Sequence, residues 1–292
     1  MKILAFDIGG TEIKYAFCDE KFNLSENKSM PTNAHEGGKK IIERVVEIIK
    51  SCDGVDRVGI STAGQVDSEK GEIIFATDSI PGYTGTKIKE IIESETGIPT
   101  AVENDVNSAA IGEAVFGAAK GYDSFICLTY GTGIGGAIFL NGKLYTGSSF
   151  SAGEFGHFVI HAGGKNCTCG GKGCYEAYAS AAALVNTVKE KTEKSMNGRD
   201  IFNNFENPEI RKIIDEWIDE IVIGLKGLIY IFNPPVIIVG GGIMSQQYIS
   251  DRINIRLQNE LMPSFRNTKV VKAKMGNDAN KLGAAYLASK IK

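Results

Sequence analysis

The chain has 292 residues, 43% of them hydrophobic and 23% charged, and a formal net charge of −3 at pH 7. This composition is typical of a globular protein with room for two domains, and the charge excludes a broad electrostatic attraction to nucleic acid or an anionic membrane. The sequence shows no signal peptide and no apolar run of bilayer length. We therefore expect a cytoplasmic protein whose partners are small molecules or further subunits, with no membrane and no nucleic acid among them.

The first predicted element is a β-hairpin with a glycine turn. The stretch LAFDIGGTEIKYAF at residues 4 to 17 places Gly9, Gly10 and Thr11 between two strand-like segments. Glycines in such a turn let backbone amides approach phosphate oxygens closely. The carboxylate of Asp7, beside phosphates, would suit Mg²⁺, either directly or through water. The alternatives are an ordinary hairpin turn and an Asp7 that only caps it.

The elements that follow lead to an acidic residue at a strand end. The segment GGKKIIERVVEIIKSC has helical spacing, DRVGIST and TAVEND are strand-like, and VNSAAIGEAVFGAAKG predicts a helix rich in small residues. Asp105, within ENDVN, lies where a strand ends and a helix begins. Two roles are open for this residue: acceptor of a hydroxyl proton during phosphoryl transfer, or N-cap of the helix.

The opening pattern returns at residues 124 to 140, SFICLTYGTGIGGAIFL, as strand, Gly-Thr-Gly turn and strand. Two such hairpins, one in each half of the chain, predict a duplicated architecture, although glycine is also common in ordinary hairpin turns. If the two turns face each other, Gly131, Thr132 and Gly133 would present amides to the phosphates from the side opposite the first turn.

The chain has six cysteines, Cys18, Cys52, Cys127, Cys167, Cys169 and Cys174. A cytoplasmic protein keeps its thiols reduced, so the first three, which are scattered, are expected to be small hydrophobic residues. The last three fall within eight residues, and His157 lies ten residues before the first of them. One nitrogen and three sulfurs fit a tetrahedral structural zinc. His161 is the competing nitrogen ligand, ranked below His157 as a surface-loop histidine.

The C-terminal part begins with a long amphipathic helix. Apolar residues recur at helical spacing through EIRKIIDEWIDEIVIGLKGLIYIF, which stops before Pro234 and Pro235. The next stretch, VIIVGGGIM, is a buried-type strand that runs into Gly240 and Gly241 and then toward helical sequence, SQQYISDRINIRLQNEL. This arrangement suits a nucleotide at the carboxyl end of a strand. The last predicted element is the small-residue helix DANKLGAAYLASKI.

Six ordered motifs resemble those of the ROK family of bacterial sugar kinases and repressors, within the actin and hexokinase superfamily: DIGGT, ENDVN, GTGIGG, GEFGH, CTCGGKGCYE and NPPVIIVGGG. The resemblance spans nearly the whole chain. It implies an α/β fold of two ribonuclease-H-like, actin/hexokinase-type domains hinged about a cleft for ATP and a sugar. We expect a small domain of residues 1–117 with 277–292, and a large domain of residues 118–276 with the zinc and most of the adenine pocket. Because the family is commonly dimeric, we also expect a homodimer.

The resemblance implies roles for individual residues. Asn104 and Asp105 match the family's sugar-binding asparagine and its catalytic aspartate, which also contacts the sugar. Three residues match those that hold hydroxyls near the reducing end, Glu154, His157 and Glu176, and two match sugar contacts more weakly, Gly64 and Thr77. The glycine motifs would bind ATP and Mg²⁺ through Asp7, Gly9, Gly10, Thr11, Gly131, Thr132, Gly133, Gly240 and Gly241. The family's zinc ligands match His157, Cys167, Cys169 and Cys174.

These matches imply an ATP-dependent carbohydrate kinase that phosphorylates a terminal primary hydroxyl. The chain as a whole resembles β-glucoside kinases, which act on the 6'-hydroxyl of cellobiose and related glucosides, and the stretch GISTAGQVD resembles N-acetylmannosamine kinases. Glucokinase is a further alternative. Two other classes stay open: a sugar-responsive transcriptional regulator without a DNA-binding domain, since DIGGT begins at residue 7, and a cytoskeletal or sugar-sensing protein that transfers no phosphate.

Overall fold

A computed structural model describes residues 1–291 of the chain as a mixed α/β protein. Its contacts divide into two compact units. The first unit comprises Met1–Lys120, Leu144–Ala152 and the C-terminal segment from Asn277, and the second comprises Gly121–Lys143 and Gly153–Gly276. Leu144–Ala152 therefore groups with the first unit, whereas the division expected from the sequence assigns that segment to the large domain.

The first unit is built on a five-stranded sheet with the order β3-β2-β1-β4-β7. Its strands are β1 Ile3–Ile8, β2 Glu12–Cys18, β3 Leu24–Pro31, β4 Arg57–Thr62 and β7 Thr100–Asn104. The first three strands are antiparallel neighbours, whereas β4 runs parallel to both β1 and β7. A separate antiparallel pair is formed by β5 Gln65–Asp67 and β6 Glu72–Phe75.

The helices of this unit pack in two ways, either through an apolar stripe or through small residues. They are α1 Gly38–Lys50, α2 Ile88–Thr96, α3 Asp105–Phe116 and α9 Ala279–Ser289. The apolar stripe of α1, which includes Ile41, Val45 and Ile49, is buried in a core with strand residues, as amphipathic spacing predicts. Helices α3 and α9 instead pack backbone to backbone. A Cβ on Gly112 would collide with the carbonyl of Ala279, so small residues are required there.

The second unit repeats this plan with a sheet of order β10-β9-β8-β11-β12. Its strands are β8 Phe125–Tyr130, β9 Ile134–Leu140, β11 Val236–Gly240 and β12 Lys269–Lys272, together with the edge strand β10 Lys143–Tyr145, whose last two residues begin the segment that groups with the first unit. The β8–β9 hairpin is antiparallel, and β11 runs parallel to both β8 and β12. Each sheet thus places parallel strands beside a glycine-turn hairpin, which confirms the predicted duplication.

The helices of the second unit are α4 Glu176–Ala179, α5 Ala181–Thr192, α6 Gly198–Asn203, α7 Pro208–Phe232 and α8 Gln247–Glu260. The predicted long helix is α7. It begins after Asn207, whose side chain accepts a hydrogen bond from the Glu209 amide, and it ends at Asn233 in the left-handed conformation before the prolines. No helix within residues 1–291 combines the length and apolar character that crossing a membrane requires.

Candidate functional site

Two carboxylates lie at the carboxyl-end edge of the first sheet. Asp7 is the second-last residue of β1, and Asp105 is the first residue of α3, directly after β7. Because β1, β4 and β7 are adjacent and parallel, their ends share one edge. Burial raises the pKa of Asp105 to about 6, and the negative charge of Asp7 adds to the rise. A carboxyl with such a pKa is suited to accept a proton near neutral pH.

Asp7 is held by donors from two other elements. Its Oδ1 accepts hydrogen bonds from Asn280 Nδ2 of α9 at 3.0 Å and from Ser61 Oγ of β4 at 3.3 Å. Burial raises the pKa of Asp7, although these bonds and the charges of Lys14 and Lys281 oppose the rise. A partly buried carboxylate beside a second carboxylate is a donor set that a divalent cation would stabilise. The residues therefore fit the Mg²⁺ role predicted for Asp7.

The helix cap of α3 is Asn104, not Asp105. Asn104 Oδ1 accepts from the amides of Val106 and Asn107 at 2.9 and 3.1 Å, while its Nδ2 donates to Gly64 O and Asp105 Oδ1, both at 2.9 Å. The capping alternative considered for Asp105 thus belongs to its neighbour. All four hydrogen-bonding positions of the Asn104 amide are occupied, so a sugar hydroxyl would have to replace one of these bonds.

The first glycine turn is exposed to solvent and is held by hydrogen bonds to Thr32. The Gly9 amide donates to Glu12 O at 3.0 Å, and Thr32 holds both the Gly9 carbonyl, through Oγ1 at 2.6 Å, and the Thr11 carbonyl, through its amide at 2.9 Å. A Cβ on Gly10 would meet no atom within 4 Å, so the space over the exposed turn is free for a ligand.

The two weaker sugar-contact predictions lie in different surroundings. Gly64 has φ +99° and is joined to Asn104 through its carbonyl, which places it beside the carboxylate pair. Thr77 lies in the exposed loop after β6, where its hydroxyl bonds to Ser79 Oγ at 2.8 Å. The described contacts of Thr77 do not connect it to Asn104 or Asp105.

In the second unit, Glu176 contacts the second glycine turn. The Ile134 amide donates to Glu176 Oε2 at 3.4 Å, and a Cβ on Gly133 would lie 2.5 Å from the same oxygen. The Gly131 amide donates to Gly133 O at 2.9 Å, which closes the turn around Thr132. A side chain at position 133 would therefore displace the Glu176 carboxylate, independently of any phosphate.

A cavity of about 420 Å³ lies next to this turn and to the end of β11. Gly131 lines it, as does Gly242, which directly follows the predicted Gly240 and Gly241. Gly241 has φ +108°, and a Cβ there would collide with the Tyr130 carbonyl. The cavity is also lined by Arg199 and Phe202 of α6. Sequence reasoning missed these two because α6 is far in sequence from every glycine motif.

One histidine and three cysteines of the second unit could hold a metal ion. The ligand atoms of His157, Cys167, Cys169 and Cys174 all lie within 4.8 Å of one another. Cys169 Sγ is 3.6 Å from Cys174 Sγ, and Cys167 Sγ is 3.6 Å from His157 Nδ1. Zinc bonds of about 2.0–2.3 Å in a tetrahedron separate neighbouring ligands by roughly 3.3–3.8 Å, so the donor set and its spacing fit zinc.

His161, the competing nitrogen ligand, has a different partner. Its Nε2 lies 2.7 Å from Glu220 Oε2 of α7, and its ring contacts the ring of Tyr178 at a centroid distance of 4.5 Å. The four-residue cluster contains His157 and not His161.

The predicted sugar ligands of this unit surround the metal cluster. His157 Nδ1 is 3.8 Å from Glu176 Oε1, and His157 Nε2 is 4.0 Å from Glu154 Oε2. Glu176 Oε1 also accepts from Cys167 Sγ at 3.2 Å and from Thr168 Oγ1 at 3.1 Å. The two nitrogens of His157 face different groups, Nδ1 the cysteines and Nε2 Glu154. The ring can therefore serve a metal and an organic ligand at once.

The architecture of the two units defines a two-domain α/β protein of the actin and hexokinase type. A ROK hexokinase from Thermus thermophilus matches 99% of this chain and 98% of its own, with a TM-score of 0.85 and 32% identity. A Streptomyces griseus ROK glucokinase, solved in complex with glucose and AMPPNP, matches 100% of both chains with a TM-score of 0.86 and 31% identity. A Listeria monocytogenes protein described as a candidate N-acetylmannosamine kinase matches 99% of both chains with a TM-score of 0.90 and 32% identity.

The chain belongs to the ROK family, whose family model matches residues 3–291. A β-glucoside kinase of Listeria innocua is 34% identical over 98% of this chain and 97% of its own. A glucokinase of Thermotoga maritima is 31% identical over the same shares of the two chains. The predicted family and the predicted fold class are therefore confirmed.

Proposed function

We propose that this chain transfers the γ-phosphoryl group of ATP to a terminal primary hydroxyl of a sugar, with Asp105 as the proton acceptor. The observation that carries the proposal is the pair of carboxylates at one sheet edge, Asp7 and Asp105, with the pKa of Asp105 raised to about 6. The chain belongs to the ROK family, and it matches a glucokinase and a β-glucoside kinase over nearly their whole length. By class it is therefore a carbohydrate kinase.

Each unit supplies different parts of the chemistry. In the first unit, Asp105 accepts the hydroxyl proton, Asp7 would hold Mg²⁺ with ATP, and the amides of Gly10 and Thr11 would bind phosphate oxygens. The Gly9 amide keeps the turn closed through its bond to Glu12 O. Mg²⁺ bound there would neutralise charge that develops on the phosphates. In the second unit, the amides of Thr132 and Gly133 would bind phosphate in the turn that the Gly131 amide closes, and the cavity at the end of β11 would hold the adenine.

The sugar contacts are proposed for residues of both units. Asn104 and the Gly64 backbone would bind hydroxyls beside Asp105, with Thr77 as a weaker contributor. Glu154, His157 and Glu176 would hold hydroxyls near the reducing end, because each carboxylate oxygen can accept from a different hydroxyl. A structural zinc on His157 and the three cysteines would fix the His157 ring. It would also fix the loop that carries Thr168, whose hydroxyl donates to the Glu176 carboxylate.

The specific substrate proposed is a β-glucoside such as cellobiose, phosphorylated at its 6'-hydroxyl. The 34% identity to a β-glucoside kinase supports this choice, while the 31% identity to a glucokinase and the similarity to a candidate N-acetylmannosamine kinase support the two alternatives. An ADP-release assay with cellobiose, glucose and N-acetylmannosamine at equal concentration separates the three. Turnover with none of them, together with a shift of DNA mobility, would favour a regulator instead.

We also propose that the protein is a homodimer that uses the exposed face of α7. Ile231 is 73% exposed and Ile223 is 40% exposed on this helix. Met262, whose amide donates to the hydroxyl of Tyr230 on the same helix, is 54% exposed. A cluster of exposed large apolar side chains is typical of a surface that another protein covers. Light scattering should give twice the monomer mass for the wild type and the monomer mass for Ile231→Glu. A monomeric wild type would refute this part.

A further inference from the structure

Helix α9, in the C-terminal segment, makes a polar contact with the first strand. Asn280 Nδ2 donates to Asp7 Oδ1 at 3.0 Å, across 273 residues of sequence. Ser61 Oγ of the adjacent strand donates to the same oxygen at 3.3 Å. An ionised carboxylate can accept hydrogen bonds but cannot donate them. The amide nitrogen of Asn280, and not its oxygen, therefore has to face Asp7.

Because of these two hydrogen bonds, the two carboxylate oxygens of Asp7 have different roles. Both donors bind Oδ1, so Oδ2 keeps its lone pairs available to a cation. The bonds also fix the rotation of the carboxylate about its last side-chain torsion, which is otherwise broad. A carboxylate ligand that is held in this way binds metal with less loss of freedom, and such supporting partners matter for metal affinity.

The two lysine ammonium groups near Asp7 form ion pairs with other carboxylates. Lys14 lies opposite Asp7 in the β1–β2 register, and its Nζ is 3.9 Å from Glu12 Oε2. Lys281 follows Asn280 on α9 and is almost fully buried, but its Nζ bonds to Asp278 at 2.8 Å and to Asn27 at 2.5 Å. Helix α9 thus presents a neutral donor to Asp7 and directs its ammonium group elsewhere.

A neutral donor suits this position for a physical reason. A lysine in direct contact with Asp7 would neutralise the carboxylate and compete with a divalent cation for it. An amide orients the carboxylate and leaves its negative charge intact. Resting on the proposed function, in which Asp7 holds Mg²⁺, we propose that Asn280, with Ser61, is a positioning residue that presents Asp7 Oδ2 to the metal of the bound nucleotide.

The test is the Mg²⁺-dependent gain in AMPPNP affinity, measured by titration calorimetry with and without Mg²⁺ and therefore without turnover. Asn280→Ala should reduce this gain about tenfold, the lower end of the effect of removing a residue that supports a metal ligand, and leave the metal-free AMPPNP affinity unchanged. Ser61→Ala, which loses a longer bond, should reduce the gain less. In the Asp7→Asn background, Asn280→Ala should have no further effect, because the ligand that it positions is already lost.

Asn27→Ala is the matched control. It also removes an asparagine contact between α9 and the sheet, but the contact is with Lys281 and not with Asp7. We expect it to keep the full Mg²⁺-dependent gain. An equal loss in Asn27→Ala would show that only the docking of α9 matters, and an unchanged gain in Asn280→Ala would also overturn the inference. If the wild type shows no Mg²⁺-dependent gain, or Asp7→Asn keeps it, the metal role of Asp7 in the proposed function fails instead.

Discussion

Asp105→Asn should abolish sugar phosphorylation and at the same time stabilise the fold. The substituted side chain keeps an oxygen that can accept from the Val106 amide and from Asn104 Nδ2, the two bonds of Asp105 Oδ1 at 2.9 Å. What the substitution removes is a charge that is partly buried and lies near the charge of Asp7. Active sites commonly retain such an unfavourable arrangement because function requires it.

The magnitude follows from the pKa of Asp105, which rises from 3.8 to about 6. At about 1.4 kcal/mol for each pH unit, ionised Asp105 costs the fold about 3 kcal/mol. Partial exposure to water reduces this figure, and the favourable effect of a negative charge at the start of α3 returns less than about 1 kcal/mol. We therefore expect Asp105→Asn to raise the free energy of unfolding by about 2 kcal/mol at pH 7.5.

The stability difference between Asp105→Asn and the wild type should grow as the pH rises. The folded state binds the proton of Asp105 more tightly than the unfolded state, so the wild type loses stability as the pH rises from 3.8 to about 6. The extra free energy of unfolding of the variant should be small near pH 4 and should reach its full value above about pH 6.

Urea unfolding at several pH values measures this advantage. Asp53→Asn, which changes an exposed carboxylate of the same unit, should match the wild type throughout. A variant that is less stable than the wild type at pH 7.5, or an advantage that does not grow with pH, would refute the reasoning.

Three further predictions concern the second unit. Removing the metal from wild-type protein with a chelator should lower the melting temperature and the sugar affinity together, because the metal-binding loop also carries Thr168, whose hydroxyl donates to Glu176. An unchanged melting temperature after verified removal contradicts a structural zinc. Gly133→Ala should lower turnover, since its Cβ would lie 2.5 Å from Glu176 Oε2 and displace that carboxylate, whereas Gly142→Ala, in open space with φ +76°, should cost stability alone. Phe202→Ala should raise the KM for ATP severalfold with the sugar KM unchanged; Phe205, next to it in a ring stack, provides the control substitution because it does not line the cavity.

Much of the fold could be predicted from local sequence. Glycine turns between apolar strands identify both hairpins, because few other residues allow such turns. The spacing of apolar residues identifies α7, and its end at Asn233 follows from the two prolines. These signals lie within one element and its neighbours, which is why one sequence is sufficient to interpret them.

The details of the site depend on contacts between distant segments. Nothing local shows that Asn104 caps α3 and thereby leaves Asp105 outside the cap, because both residue types cap helices well. The bond from Asn280 to Asp7 joins opposite ends of the chain. The cavity lining from α6 depends on how that short helix packs against Ile243, in the turn that follows β11. Each of these results from tertiary packing, which sequence spacing does not encode.

Phosphorus NMR of the products formed from ATP and cellobiose tests the central claim most directly. The account predicts a sugar phosphate whose phosphorus couples to the protons of the 6'-carbon, formed by the wild type and absent with Asp105→Asn at equal protein concentration. Formation of the same product by the variant at the wild-type rate, or release of inorganic phosphate alone with cellobiose, glucose and N-acetylmannosamine, would contradict it.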